Sequence, residues 1–168
     1  MPILDNSDLT SLRLFEGQVA TTEPSVIRTG INADTVPLIF GRALVKGTGD
    51  EDLILPAGAG GLLMGISCVI DVPIFEKREQ YSLNADGDMG YPVDYAVSYL
   101  IRGVIGVKVG QNVTPASNVF YVHTAFTNAA VGTFRTDANT DKALQITNAR
   151  FLASGAAGSV VPLSINLF

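Results

Sequence analysis

Hydrophobic and polar residues alternate with a period of two in several stretches of the chain, most clearly at the C-terminal end. The apolar members of that run are Val161, Leu163, Ile165 and Leu167. Proline, serine and asparagine stand between them. Successive side chains of a strand point to opposite faces, so this spacing predicts a half-buried β-strand.

A second alternating run lies in the middle of the chain. Ile105, Val107 and Val109 share one face, and Gly103 and Gly110 bound the run. Glycine weakens strand interiors and often marks their ends. The pattern therefore predicts a short strand between the two glycines.

Six further stretches rich in apolar and β-forming residues predict strands. They are residues 36–46, 62–72, 95–102, 119–124, 131–135 and 143–152. Segments rich in glycine, asparagine and aspartate separate many of them, including 47–50, 84–88, 136–139 and 154–158. Eight or more short strands with regular turns indicate an all-β fold, a β-barrel or a jelly-roll-like β-sandwich.

Two segments depart from this pattern. Residues 73–81 combine charge with good helix formers and predict at most one short helix. Residues 1–14 lack sustained periodicity and fit either an extended arm or a strand added to a sheet edge. We expect a single β domain over residues 15–168, with a small insertion near 73–89.

Composition narrows the choice of partners. The 168 residues are 47% hydrophobic and 16% charged, so some apolar surface is expected to meet a partner. Lys and Arg total 11 against 16 Asp and Glu. Since binding to a phosphate backbone needs a positive surface, direct contact with nucleic acid is disfavoured.

Cys68 is the sole cysteine, which excludes an intrachain disulfide and a thiolate zinc cluster. The N-terminal residues carry acidic groups before any basic one, unlike a secretory signal. The longest nearly apolar stretch, residues 59–70, is interrupted by glycine and falls short of the roughly 20 residues of a membrane-spanning helix. No membrane contact is expected.

A hydrolytic triad needs a histidine as its base, and His123 is the only histidine in the sequence. It lies in a predicted strand, where a partly buried or interface histidine is the favoured interpretation. No nucleophile or orienting acid accompanies it in a recognised motif. We expect no catalytic residues and no enzyme activity.

Acidic and glycine-rich loops give no cofactor or metal site. Residues 84–88 offer oxygen ligands, but Gly87 and Asp88 do not fit the calcium-loop spacing. Residues 50–52 read as solvated surface charge. The glycines of 57–61 lack the lysine of a phosphate-binding loop and are better explained as a turn before a strand.

Five segments, taken in order, resemble the tailed-phage capsid cement proteins, also described as head decoration proteins. An early glycine is followed by an apolar residue and alanine in 15–20, and a proline, phenylalanine and glycine precede a strand in 37–45. The spacing departs from the family pattern because two residues separate Pro37 from Phe40. The remaining segments are 63–67, 103–107 and 149–163.

This resemblance implies a β-barrel or β-sandwich subunit that forms a homotrimer and binds the major capsid protein. Such a subunit would sit on the outer surface of the virion capsid, bridge neighbouring capsomers and stabilise the shell against internal DNA pressure. The resemblance implies no cofactor and no catalytic residue. Three alternatives stay open from the residues alone: a tail or fibre module binding a host-surface glycan, an enzyme with an unrecognised site, and a small shell-forming protein.

Overall fold

A computed structural model describes residues 14–20, 24–69, 82–83, 87–127 and 129–168. All regular secondary structure in these ranges is β, which confirms the all-β prediction, and no helix there could cross a membrane. The strands are β1 (Val26–Asn32), β2 (Leu38–Ile39), β3 (Ala43–Lys46), β4 (Asp52–Ile54), β5 (Leu63–Ser67), β6 (Ser82–Leu83), β7 (Met89–Tyr91), β8 (Ala96–Lys108), β9 (Phe120–Val122), β10 (Phe134–Arg135), β11 (Ala143–Gln145), β12 (Ala149–Phe151) and β13 (Val160–Asn166).

Five strands close into a small barrel in the order β1, β4, β3, β5, β8 and back to β1. The closing contacts are an antiparallel pairing of β1 with β8 and a parallel pairing of β1 with β4. Leu100 of β8 pairs with both Ile27 and Ile66, so β1 and β5 lie on opposite edges of β8. Because the barrel is closed, each of these strands has a neighbour on both sides over its paired residues.

The inward face of this barrel carries one hydrophobic core, here called the barrel core. Its buried members are Leu38, Phe40, Leu44, Leu53, Tyr91, Val97, Tyr99 and Ile101. Phe40 and Tyr91 meet edge to face with ring centroids 5.1 Å apart. The Tyr91 hydroxyl donates to the Cys68 carbonyl at 2.6 Å, which satisfies the polar end of a buried ring.

Strand β8 continues beyond the barrel for its second half. There it pairs with β13 over seven residue positions, and β13 pairs in turn with β12. On the opposite edge Val19 forms an antiparallel bridge with Ile105. One strand of 13 residues therefore belongs to both parts of the fold.

A second core, here called the outer core, packs against the other face of β3, β5 and β8. It joins these strands and β13 to the three-stranded sheet of β10, β9 and β11. Phe134, Phe151, Ile105 and Leu163 are among its fully buried side chains. A third small sheet contains β2, β7 and β6.

The structure confirms the C-terminal strand and corrects several predicted bounds. Residues 95–102 and 105–109 were predicted as two strands, but both fall largely in β8. Gly103 does not end the strand, because it adopts φ +133° and still pairs with Ile165. Residues 36–46 are broken by a turn at Phe40 and Gly41, and 143–152 are broken between β11 and β12.

Some predictions were incomplete and others fall outside the described ranges. Strands β1, β4, β6 and β7 were not predicted. The expected helix at 73–81 lies outside the described residues, as does the expected arm at 1–14 apart from Leu14. Of the insertion near 73–89, only residues 82–83 and 87–89 are described.

Candidate interaction surface

A buried ionic cluster brings together three residues from separate parts of the chain. Arg42 is 4% exposed, and its guanidinium lies between two carboxylates. Its Nε is 3.3 Å from Glu16 Oε1, and its Nη2 is 3.6 Å from Asp88 Oδ2. Glu16, Arg42 and Asp88 are called the ionic cluster below.

Two facing turns build this cluster. Gly17 and Gly41 have φ values of +80° and +69°, which favour glycine. A Cβ on Gly41 would lie 2.6 Å from Glu16 Cγ and 2.9 Å from Gly17 N, so the close approach of the turns also requires glycine. Glu16 is thereby held over the turn that carries Arg42.

Ser67 holds the turn at Phe40 and Gly41 in place through two hydrogen bonds. Its buried hydroxyl accepts a hydrogen bond from the Arg42 backbone N–H at 2.9 Å and donates to the Ile39 carbonyl at 2.6 Å. The backbone that places the guanidinium is therefore tied to β5. Since buried polar groups are costly unless paired, this connection stabilises one arrangement of the turn.

The electrostatics of the ionic cluster are unbalanced. Burial raises the pKa of the Glu16 carboxyl, while the charges of Arg42 and Lys108 oppose that shift. Arg42 Nε and Nη1 are buried and make no hydrogen bond within the described chain. The net shift of the Glu16 pKa is upward because the cost of desolvating the carboxylate exceeds its attraction to the two cations.

Two cavities flank the ionic cluster. The larger is an open groove of about 810 Å³, called the groove below, and Asp88 lines it together with Arg42 and Lys108. The smaller, of about 160 Å³, is lined by Asp88 and Glu16 beside Met89. The full lining of the groove is Arg42, Asp88, Lys108, Val109, Gly110, Ala125, Phe126, Ala129, Ala130, Thr133, Ala157 and Gly158.

Cations cluster around one wall of the groove. The Phe126 ring is contacted by the Arg135 guanidinium at 4.8 Å and by Lys142 Nζ at 5.5 Å from its centroid. Arg135 also pairs with Asp137 at 2.6 Å. By contrast, within the described chain neither Lys108 nor Lys142 has a carboxylate within 4.0 Å.

Apolar side chains are exposed at the end of the barrel around Asn32. Asn32 is fully buried, and its Nδ2 donates to the carbonyls of Val36, Tyr91 and Pro92 at 3.0–3.1 Å. These bonds tie the loop after β1 to the loop before β8. The exposed side chains on these loops and the adjoining strand end are Ile31, Val36, Val93 and Tyr95, called the Asn32 patch.

The structure places the residues singled out in the sequence as follows. His123 is 5% exposed, and its Nδ1 lies 2.9 Å from Thr124 Oγ1. Its Nε2 makes no hydrogen bond with the described residues. Cys68 is buried, and desolvation raises the pKa of its thiol to about 12. Its reactivity as a nucleophile is therefore suppressed.

The acidic loops do not converge. Asp50 is exposed, with Lys46 at 3.7 Å, and Asp52 accepts a hydrogen bond from the Gly49 N–H at 2.7 Å. Of residues 84–88, the structure describes Gly87 and Asp88, and the latter belongs to the ionic cluster. Within the described ranges, no three His, Cys, Asp or Glu residues are grouped to hold a metal ion.

Sequence reasoning missed the ionic cluster and the groove. Arg42 lies in the segment 37–45 that resembles the cement proteins, but its carboxylate partners lie far away along the chain. The one available signal is an arginine between a turn glycine and an apolar strand, because an arginine that becomes buried at such a position needs a charged partner. The identity of its carboxylate partners has no local signature.

Comparison with known proteins gives a matching family model and a solved structure with a related fold. A family model described as "Structural cement protein (E217 gp24/Pam3 gp6)" matches residues 9–166. A chain from the structure titled "The capsid of Myoviridae Phage XM1" superposes with a TM-score of 0.62, covering 99% of each chain at 17% identity. At that identity the superposition shows a shared fold. No curated protein matches this chain.

Proposed function

The chain belongs to the phage structural cement protein family, and from this premise we propose that it binds the outer face of the capsid and bridges neighbouring capsomers. The observation that carries the proposal is the family match, which spans residues 9–166. As a cement protein the chain is a component of the virion capsid. The match favours this role over that of a glycan-binding tail or fibre module.

The proposed partner is the major capsid protein. The Asn32 patch groups four of the exposed large hydrophobic side chains on neighbouring loops at one end of the barrel, a surface suited to protein contacts. The whole chain carries a net charge of −5, which favours a position away from the packaged nucleic acid. Both features support attachment to the protein shell from outside.

We further propose that the working form is a homotrimer. Three linked copies raise the effective concentration of each capsid contact, so patches that are individually weak can hold together. A bridging trimer would oppose separation of neighbouring capsomers under internal pressure. Light scattering of the purified protein gives its mass in solution, and imaging of decorated shells gives its arrangement on the capsid. Single copies in both measurements contradict the homotrimer.

The proposed role is structural rather than catalytic. Residues 15–168 would act as one β domain, supported by the way β8 belongs to both cores. His123 and Cys68 are both buried, and within the described ranges His123 Nε2 has no hydrogen-bond partner. Contacts with partners, rather than chemistry, would provide the function.

The direct test adds purified protein to capsids that lack it. We expect saturable binding, and we expect decorated shells to withstand a higher temperature before releasing DNA. Cosedimentation gives the occupancy and a DNA-accessible dye reports release. Binding that does not saturate, or release at an unchanged temperature, contradicts the proposal.

A second experiment concerns residues 1–14 as an attachment arm. Deleting residues 1–13 retains Leu14 and the described chain, and we expect this deletion to weaken capsid occupancy. The same deletion is compared by circular dichroism to establish that the β domain still folds. Unchanged occupancy at limiting protein concentration would rule out an attachment role for this segment.

A further inference from the structure

We propose that the groove receives a loop of the major capsid protein that carries a carboxylate flanked by apolar side chains. This inference rests on the proposed function and names the partner chemistry of one attachment site. The groove is about 810 Å³ in volume, which is the size of a site for a few side chains.

Charge gives the first argument for this occupant. The residues lining the groove, with their ion-pair and ring-contact partners, include four cations and three carboxylates. The cations are Arg42, Lys108, Arg135 and Lys142, and the carboxylates are Glu16, Asp88 and Asp137. The whole chain instead has 11 basic and 16 acidic residues, so the groove reverses the overall balance.

The arrangement of these charges gives the second argument. The carboxylates already face Arg42 and Arg135. Lys108 is half-buried in the groove lining and has no carboxylate within 4.0 Å in the described chain. Lys108 acts on Glu16 only at a distance beyond ion-pair contact, so an entering carboxylate would meet a cation without a direct partner in a partly desolvated place, where charge pairing is stronger than in open water.

The apolar lining gives the third argument. Ala125, Ala129, Ala130 and Ala157 leave room for an entering side chain, while Phe126 supplies a large apolar face. Cations held against that ring keep the wall positive as well as apolar. A segment with both apolar and acidic side chains matches this lining, whereas a basic segment would be repelled by Lys108.

The test compares two charge variants and two size variants for binding to capsids that lack the protein. Lys108→Glu is expected to weaken binding at least tenfold, while Lys108→Arg should remain within twofold of wild type. Ala130 is exposed in the groove lining, so Ala130→Trp should fill the groove and weaken binding at least tenfold. Ala116→Trp, at an exposed alanine outside both the groove and the Asn32 patch, is the matched control and should stay within twofold.

Binding is measured at low and high salt, together with the mass and melting temperature of each free protein. Wild-type binding should fall with salt, and that dependence should be smaller in Lys108→Glu. If the wild-type protein binds the capsid and Lys108→Glu or Ala130→Trp binds equally well, the groove is not the attachment site, while the proposed function stands. Absence of wild-type binding overturns the proposed function itself.

Three other outcomes also overturn the assignment by pointing to another occupant. A changed mass of free Ala130→Trp would indicate that a second copy fills the groove. A lower melting temperature of that variant would indicate that the chain's own residues fill it. An unchanged salt dependence in Lys108→Glu would remove the carboxylate from the recognised chemistry.

Discussion

At the scale of single residues, Asn32 and Glu16 show opposite outcomes of polar burial. Asn32 has partners for both ends of its amide, because Nδ2 donates to three carbonyls and Oδ1 accepts from the Asp34 N–H at 2.9 Å. Glu16 instead has a buried Oε1 without a hydrogen bond in the described chain. The first residue should stabilise the fold strongly, and the second should make stability depend on pH.

Replacing Asn32 with alanine removes the donor that connects two loops. We expect the free energy of unfolding to fall by about 2–4 kcal/mol, because buried carbonyls lose their partner. Urea denaturation measures the change. Asn166→Ala, at an exposed asparagine, should change it by less than about 0.5 kcal/mol, and an equal loss in both variants would refute the connecting role.

The raised pKa of Glu16 predicts how its contribution varies with pH. The folded protein keeps this proton to a higher pH than the unfolded chain, so unfolding free energy is lost as pH rises from 4.5 through the raised pKa. Glu16→Gln cannot ionise. Its unfolding free energy, relative to wild type, should therefore increase with pH across that window and then level off.

Parallel urea denaturation from pH 4 to pH 8 tests this expectation. Glu51→Gln, which changes an exposed carboxyl, serves as the control for general charge effects. A difference between Glu16→Gln and wild type that stays constant with pH would show that ionisation of Glu16 does not penalise the fold.

At the scale of elements, strands with regular alternation could be predicted and strands defined by distant partners could not. β13 was evident because Val161, Leu163 and Ile165 all point into a core. β1 was missed because its first four residues are exposed, so no buried face marks it. Its position follows from pairing with β4 and β8, which is decided by long-range closure of the barrel.

The candidate surface was less predictable than the fold for the same physical reason. The grouping of Lys108 with Phe126 and Arg42 depends on the packing of three separate segments. The sequence indicated a chain with apolar surface available for a partner and no obvious chemistry. It could not indicate where unpaired cations and small side chains would meet.

The alternation in β13 predicts a sharp contrast between neighbouring substitutions. Leu163→Ala should lower the free energy of unfolding by about 2–5 kcal/mol, because Leu163 is fully buried in the outer core. Ser164→Ala lies on the opposite face and should cost less than about 1 kcal/mol. Chemical denaturation of both proteins checks the contrast, and similar losses would mean that β13 is not one-sided in its packing.

At the scale of the whole molecule, Cys68 provides an internal reporter of opening. It is fully buried, and the pKa of its thiol is raised to about 12. Alkylation requires an accessible thiolate, so iodoacetamide should label the native protein at least about 100-fold more slowly than the urea-unfolded chain. Mass spectrometry follows the single adduct, and rapid labelling in native buffer would contradict a closed fold around this residue.

Strand β8 also determines how the molecule would carry a mechanical load. Its first half is hydrogen-bonded to β1 and its second half to β13, both in antiparallel pairing. A force along the strand is therefore shared among many hydrogen bonds that are loaded at the same time. Such a load shears these bonds together instead of unzipping them in succession. A subunit pulled between two moving capsomers would then resist extension until a whole row of hydrogen bonds along β8 breaks together.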